Sequence, residues 1–202
     1  MKITVIGMGS WGTAVAVRLA LGGHAVSGWT HDAEQRSRLR TDRENRKYLP
    51  GTPLPEALGI TDVPEPAPVV VLGVPSHAVR SVCAANQAML QQARVVNLAK
   101  GIEETTHRRM LEVLAEETGV EGVSLIGPSH AEEVAAGHPT ALVATSRDAA
   151  AAAEVQDLVG DGVLRVYTND DTVGVELAAA LKNVIAIAAG MSAGLGLGAN
   201  AL

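Results

Sequence analysis

The sequence predicts an α/β protein: a doubly wound, mostly parallel sheet followed by the first helix of an all-α second domain. Three observations carry this. A β-branched run, Ile3-Thr4-Val5-Ile6, leads at once into a glycine-rich turn and an apolar helix. Strand-like and helix-like segments then alternate to residue 168, the rhythm of a parallel sheet with helices on both faces. Beyond residue 170 the alternation stops, and residues 172–189 read as one helix, apolar nearly all round and so expected in a core. The expected division is a sheet domain over 1–168 and the incomplete start of a helical domain over 169–202.

The first element sets the rest. Gly7-Met8-Gly9-Ser10-Trp11-Gly12 fits G-x-G-x-x-G between a strand and a helix, the context that makes this motif a Rossmann-type dinucleotide fingerprint. Gly7 serves the tight turn, Gly9 lets backbone approach a pyrophosphate, and Gly12 lets helix pack on strand. The free N–H groups at the helix start, around Ser10 and Trp11, would face the phosphates. Gly22-Gly23 stops the helix, and Ala25-Val26-Ser27-Gly28-Trp29 reads as the second strand. An acid at the end of that strand binds the ribose 2′-hydroxyl of NAD, whereas a basic residue accommodates the 2′-phosphate of NADP. Thr30 stands at the acid's place, followed by His31, and Asp32 falls two residues late. The reading favours NADP slightly over NAD.

Residues 33–46 read as a charged helix with a solvated face, and Tyr48-Leu49-Pro50-Gly51-Thr52-Pro53-Leu54-Pro55 breaks regular structure. Val69-Val70-Val71-Leu72 is a continuous apolar run, as a central parallel strand should be, and turns at Gly73-Val74-Pro75-Ser76. A helix over 77–92, a strand over 94–99 and a helix over 105–118 follow. Val123-Ser124-Leu125-Ile126 is a strand leading into Gly127-Pro128-Ser129-His130-Ala131. A strand over 140–145, an alanine-rich helix over 149–159 and a strand over 164–167 complete the alternation. Ligands of such sheets sit beyond the carboxyl ends of the strands. Segments 7–12, 74–76, 100–103 and 127–131 all follow strands, so they are expected to line one crevice.

Composition narrows the function. The chain of 202 residues is 47% hydrophobic and 19% charged, which suits a globular core. A net charge of −6 with 2% aromatic residues counts against nucleic acid, which wants a basic face and stacking rings. The single Cys83 excludes an internal disulfide and a cysteine-based zinc cluster, and reads as core. No signal-like segment precedes the strand at Ile3, so a cytoplasmic protein is expected. The uncharged stretch over 184–202 carries Gly190, Gly194, Gly196 and Gly198, a poor bilayer span; no membrane span is expected.

Few residues stand out for chemistry. Lys182 interrupts the apolar helix, with Ala178 and Ala186 at i±4 and Ala189 a turn further. Small neighbours leave room for a ligand beside an ammonium partly desolvated and so suited to proton transfer. The alternative is a lysine that reaches the surface or pairs with Glu176 or Asp171. Lys100 ends a strand at the ligand-binding face, or is a plain loop lysine. Ser129 lacks the final glycine of a nucleophile elbow, because Ala131 stands there. His130 and Glu132 have no C-x-x-C beside them, and the scattered histidines suggest no catalytic metal.

Taken together, the motifs resemble the bacterial-type NAD(P)-dependent sn-glycerol-3-phosphate dehydrogenases. The matching blocks are Gly7 to Ala14, Asn45 to Pro50, Val74-Pro75-Ser76, Lys100-Gly101-Ile102-Glu103 and Gly127-Pro128-Ser129-His130-Ala131-Glu132-Glu133. Further blocks are Gly137-His138-Pro139-Thr140, Gly174-Val175-Glu176-Leu177, Leu181-Lys182-Asn183-Val184-Ile185-Ala186 and Gly196-Leu197-Gly198-Ala199-Asn200-Ala201.

The resemblance implies reversible hydride transfer between NAD(P)H and dihydroxyacetone phosphate, giving sn-glycerol 3-phosphate for phospholipid synthesis. It implies cofactor contacts at Ser10, Trp11, His31 and Ala131, where many members have arginine in place of His31. Substrate contacts fall at Lys100, Gly127 and Ser129, Lys100 also serving the cofactor, and Lys182 becomes the proton relay. A homodimer fits this reading.

The family continues past its Gly-x-Asn block into a helical domain that supplies an aspartate and a Ser-Arg-Asn cluster for substrate. This chain ends at Leu202. The expectation is therefore a truncated dehydrogenase: cofactor half intact, substrate clamp missing, and the helix over 177–189 left with an apolar face that favours self-association. The alternatives are a non-catalytic NAD(P)-binding module and a related dehydrogenase of the β-hydroxyacid or 6-phosphogluconate type.

Overall fold

In a computed structural model of the chain, which describes residues 1–198 and 200, the sheet grows outward from its first strand. β1 (Lys2–Ile6) is followed by α1 (Ser10–Leu21), β2 (Ala25–Trp29) and α2 (Ala33–Asp42). A small antiparallel pair, β3 (Glu44–Asn45) and β4 (Leu49–Pro53), precedes β5 (Leu58–Ile60) and β6 (Val69–Leu72). Then come α3 (Ser76–Ala85), α4 (Gln87–Leu90), β7 (Arg94–Asn97), α5 (Met110–Thr118) and β8 (Val123–Ile126). The chain continues through α6 (Ala131–Ala135), β9 (Thr140–Thr145), α7 (Ala149–Val159), β10 (Leu164–Asn169) and α8 (Thr172–Gly194).

The main sheet has the order β10-β9-β8-β7-β6-β1-β2-β5. Every pairing in it is parallel except β8 with β9. The chain moves from β1 towards β2 and β5, then crosses back to β6 on the other side of β1. The order therefore reverses between β1 and β6, the switch point where such sheets bind ligands.

Alternation along the central strands fills both faces. Ile3, Val5, Val69 and Val71 face one core with Ala14, Val15, Val134 and Val155 of α1, α6 and α7. Ile6, Val70 and Leu72 face the other with Val79, Cys83, Met110, Val113 and Leu114 of α3 and α5. Each such fully buried aliphatic side chain contributes roughly 1.5–3 kcal/mol. Burial also pushes the Cys83 thiol up to about 12, so it sits in the core as a small hydrophobe.

Several boundaries differ from the sequence expectation. The helix over 77–92 splits at Asn86, whose side-chain amide donates to Val82 O at 2.8 Å and competes with the helical ladder. The helix expected over 105–118 begins at Met110, because the Glu112 carboxylate caps it from Arg109 N and Arg109 bridges back to Ile102. The Pro- and Gly-rich stretch after Tyr48 forms β4, tolerated because its only partner is the two-residue β3. β10 extends to Asn169 and α8 to Gly194. Within the last family-like block, Ala199 and Ala201 lie outside the described residues.

α8 has the composition of a core helix, yet its buried residues are only Thr172 and Glu176, which leaves the open apolar face expected over 177–189. Leu181, Val184, Ile185, Ile187 and Met191 are 48–65% exposed. By length and composition alone α8 is long and apolar enough to cross a membrane. Its first turns, however, pack on β8 and β9. A continuous exposed apolar face of this kind drives association. Sedimentation velocity should therefore show concentration-dependent self-association of the 202-residue chain, and the double substitution Val184→Glu, Ile185→Lys should return it to a monomer.

Candidate functional site

The turn between β1 and α1 is built by backbones in contact. Gly7 adopts φ +105°, and a Cβ there would lie 2.6 Å from Gly73 O at the end of β6. A Cβ on Gly12 would lie 1.9 Å from Gly7 O. Gly9 meets nothing within 4 Å, so its backbone faces open space. α1 starts at Ser10 with no side-chain cap and no acid in its first turn, leaving N–H groups and the positive dipole end unneutralised. An open glycine beside an uncapped helix start at the switch point fits the pyrophosphate of a dinucleotide.

The loop is pinned from beneath. Met8 O accepts from Gln35 Nε2 at 2.7 Å and from Asn45 Nδ2 at 2.8 Å, and Asn45 also donates to Thr13 Oγ1 at 2.8 Å. The Met8 side chain is buried where Gly28 leaves room for its sulfur. Nothing in the local pattern marks Gln35 or Gly28 as functional, and Asn45 stands out only as part of a family-like block. Gly73 was legible as a glycine ending a central strand; the others depend on tertiary contact.

A cleft of about 580 Å³ opens above this turn, lined by Gly9, Ser10, Trp11, Ser76, Lys100, Ser129, His130 and Ala131. The Trp11 indole N–H has no hydrogen-bond partner among the described residues. An adjoining cleft of about 260 Å³ is lined by Lys100, Gly127, Pro128, Val175, Ala178, Ala179 and Lys182. Lys100 belongs to both. Its ammonium donates to Gly127 O at 2.8 Å. Burial first, and the charge of Lys182 second, hold the Lys100 amine below the usual lysine range.

Lys182 itself is exposed, so the desolvation expected for it is not supplied by the described residues. Ala178 lines its cleft as anticipated, while Ala186 faces solvent. Neither expected acid pairs with it. Asp171 caps α8, accepting from Gly174 N at 2.8 Å, and Glu176 turns inward. Glu176, 2% exposed, accepts from Arg109 Nη1 at 2.8 Å, Leu111 N at 3.0 Å and Ser124 Oγ at 3.0 Å. Removing one partner of a buried ion pair like this costs about 3–5 kcal/mol.

The strand end that was to select the cofactor is arranged differently from the sequence reading. Thr30 is buried; its hydroxyl donates to Gln35 Oε1 at 3.1 Å and its carbonyl accepts from Arg36 Nη1 at 2.5 Å. Being short and satisfied inward, it presents nothing to a ribose. Asp32 is the N-cap of α2, accepting from Glu34 N at 3.0 Å and Gln35 N at 3.1 Å, and the Gln35 bond is the main cause of its lowered pKa. His31 is exposed at this end but lines neither cleft.

The loop carrying Lys100 is anchored by charge. Gly101 has φ +149° and lies against Ser76, where a Cβ would come 2.8 Å from Ser76 Oγ. Arg80 grips Glu103 through two bonds of 2.7 Å, and also binds Glu116 and Glu117. Arg80, with help from Thr106, holds the Glu103 carboxyl down at about 2.

Two matches to known families bear on this geometry. The model described as NAD-dependent glycerol-3-phosphate dehydrogenase N-terminus matches residues 2–152, and that of the C-terminus matches 171–202.

The chain belongs to this family.

Glycerol-3-phosphate dehydrogenase [NAD(P)+] of Geobacillus kaustophilus is 48% identical over 99% of this chain and 61% of its own length. The protein of the same name from Chlorobium limicola is 47% identical over the whole chain and 63% of its own length. The chain thus spans about three-fifths of the length of these relatives. The crystal structure of glycerol-3-phosphate dehydrogenase from Coxiella burnetii superposes with a TM-score of 0.90 at 35% identity, covering 98% of this chain and 63% of that one. Pyrroline-5-carboxylate reductase from the same organism shares the fold alone, with a TM-score of 0.64 at 16% identity.

The glycine turn of this dehydrogenase-family chain makes a paired test. Gly12→Ala should cost about 2–3 kcal/mol of stability by overpacking a site with no room. Gly9→Ala should melt within about 0.5 kcal/mol of the parent, yet weaken NADPH binding by about tenfold in a fluorescence titration, or 1.4 kcal/mol. Glu103 gives a test of pH dependence. Its carboxyl is lowered on folding, so its contribution is complete above the unfolded carboxylate range and disappears as pH falls towards about 2. Glu103→Gln should therefore lower the melting midpoint at pH 7 and approach the parent's midpoint at pH 3.

Proposed function

We propose that this chain carries the cofactor half and the proton-donating lysine of an NAD(P)H-linked dehydrogenase, acting on dihydroxyacetone phosphate and sn-glycerol 3-phosphate. Lys100 carries the reading, because it lines both the cleft above the glycine turn and the cleft containing Lys182. A cofactor laid along the first cleft and a small phosphorylated substrate in the second would meet at Lys100.

We infer that Gly7, Gly9, Ser10, Trp11, Gly12 and Ala131 hold the dinucleotide, whose chemistry when bound is to give or accept a hydride. Gly7 and Gly12 shape the turn, and Gly9, Ser10 and Trp11 offer backbone N–H groups. The adenosine end then runs towards His31 at the close of β2. Thr30 faces inward and Asp32 is engaged through Oδ1 as a helix cap two residues further on, so neither stands at the strand end as a carboxylate dedicated to a ribose 2′-hydroxyl. This supports NADP over NAD.

Lys100, fixed on Gly127 O beside Ser129, supplies a cation and binding groups for the phosphorylated substrate. Lys182 delivers a proton to the carbonyl oxygen as negative charge grows there, and its neutral amine takes the hydroxyl proton in reverse. Two ammonium groups facing one pocket are what a dianionic substrate needs in a chain whose net charge is −6. We further infer a division near residue 168, a cytoplasmic setting and a homodimer. The support is the gap between the two family matches, which runs from 153 to 170, and the apolar face of α8.

The test has two arms. NADPH and NADH are titrated by fluorescence, and NADPH oxidation is followed with dihydroxyacetone phosphate. Binding without turnover would favour a nucleotide-binding module for these 202 residues, and failure of both would remove the proposal. In a version extended to the relatives' full length, Lys182→Ala should lower kcat by about 10²–10⁴-fold while leaving the cofactor dissociation constant unchanged. A panel including 3-hydroxyacids and 6-phosphogluconate separates the related dehydrogenases.

A further inference from the structure

We propose that Glu176, clamped by Arg109, Leu111 and Ser124, is a positioning residue that sets how closely Lys182 stands to Lys100.

Twenty-three residues long, α8 buries only two side chains, Thr172 in its first turn and Glu176 in its second. Val175, Leu177, Ala179 and Ala180 are half-buried, and both fully buried side chains of α8 are polar. Both carboxylate oxygens of Glu176 are used: Oε2 by Arg109 Nη1, and Oε1 by Leu111 N and Ser124 Oγ. These partners come from the start of α5 and from β8, so the carboxylate is located from two elements at once.

Arg109 is itself 8% exposed and held by Glu112 through Nη2 at 2.9 Å. The guanidinium cannot follow α8 if the helix shifts, because Glu112 and the bridge to Ile102 fix it. Arg109 and Ser124 fall within the first family match and Glu176 within the second, so the clamp joins the two regions.

Lys182 lies six residues after Glu176, about 9 Å further along the axis at 1.5 Å per residue. Between them Ala178 and Ala179 form the wall of the cleft, and neither reaches across it to Gly127 or Pro128 with a polar group. The spacing between the two lysines thus depends on the rigid rod from Glu176 to Lys182. Lys100 and Lys182 line the same cleft, and the charge of Lys182 adds to burial in lowering the Lys100 amine.

The inference rests on the reading of Lys182 as proton donor for its purpose, but not for its geometry, and the test separates the two. The chain has four lysines, Lys2, Lys47, Lys100 and Lys182, so trace acetylation with mass spectrometry can follow each amine against pH. Lys182→Met should slow acetylation of Lys100 at pH 8, because the repelling charge is gone and the amine holds its proton more tightly. Glu176→Ala should slow it in the same direction, approaching the Lys182→Met value, with Lys2 unchanged. A merely structural role would lower the melting midpoint and leave the Lys100 profile of the folded protein as it is in the parent.

Should Glu176→Ala fail to fold, Glu176→Gln keeps the shape and serves in its place, and Glu176→Asp should restore part of the parent profile. A parent-like Lys100 profile in folded Glu176→Ala or Glu176→Gln overturns the clamp, as does an unmoved Lys100 in Lys182→Met. In the extended enzyme, Glu176→Gln should lower kcat by roughly 100-fold, the scale of an ångström-level misplacement, with KM for cofactor unchanged; an unchanged kcat also overturns it. An active Lys182→Met enzyme with a shifted Lys100 profile would instead remove the proton-donor reading and leave the clamp standing.

Discussion

Three backbones cross at Gly7, Gly12 and Gly73, and the remaining architecture depends on that crossing. A Cβ on Gly73 would lie 2.8 Å from Gly7 O and 3.0 Å from the Gly12 Cα. No side chain fits between β1, the first turn of α1 and the end of β6. Because they meet without intervening atoms, α1 packs directly on the sheet at the point where strand order reverses. The helix start then opens onto the crevice beyond β1 and β6, and Gly9 is left with free space in front of it.

The crevice is completed by two polar devices of different kinds. Beneath the glycine turn, Gln35 and Asn45 converge on the Met8 carbonyl and pin the loop without entering the cleft. Across the cleft, Lys100 is held by the Gly127 carbonyl, and its loop is held by the Arg80–Glu103 pair. Neutral bonds organise the glycine-turn side, proposed for the cofactor, and charged groups the Lys100 side, proposed for the substrate. That division suits a cofactor bound through backbone N–H groups and a substrate bound through cations.

α8 is where sequence pattern and structure part. Its composition reads as a core helix, yet the described chain covers only its first two turns. A helix's apolar face records that it is covered, not by what, since the hydrophobic effect is non-directional. The chain spans about three-fifths of the length of its relatives. The one buried charged group of α8 is the Glu176 carboxylate, bonded to α5 and β8. Glu176, one of the acids expected to pair with Lys182, turns inward to Arg109 instead.

The glycine fingerprint, the alternating elements and the order of Lys100, Gly127–Ala131 and Lys182 were legible in the sequence. Each rests on local chemistry: a positive φ, a β-branched run, a lysine in an apolar helix. Helix boundaries at Asn86 and Met110, by contrast, were decided by side-chain bonds that periodicity does not reveal. So was the inward turn of Thr30, which changed the cofactor argument. The sequence by itself determined the fold class and which residues could carry chemistry, because strand and helix periods and backbone freedom are properties of short segments. Tertiary structure alone decided which of those residues meet. It joined Lys100 to both clefts, left His31 beyond β2 and outside both of them, and paired Glu176 with Arg109 across 67 positions. Those are long-range encounters, fixed by how eight strands are ordered rather than by any stretch of chain.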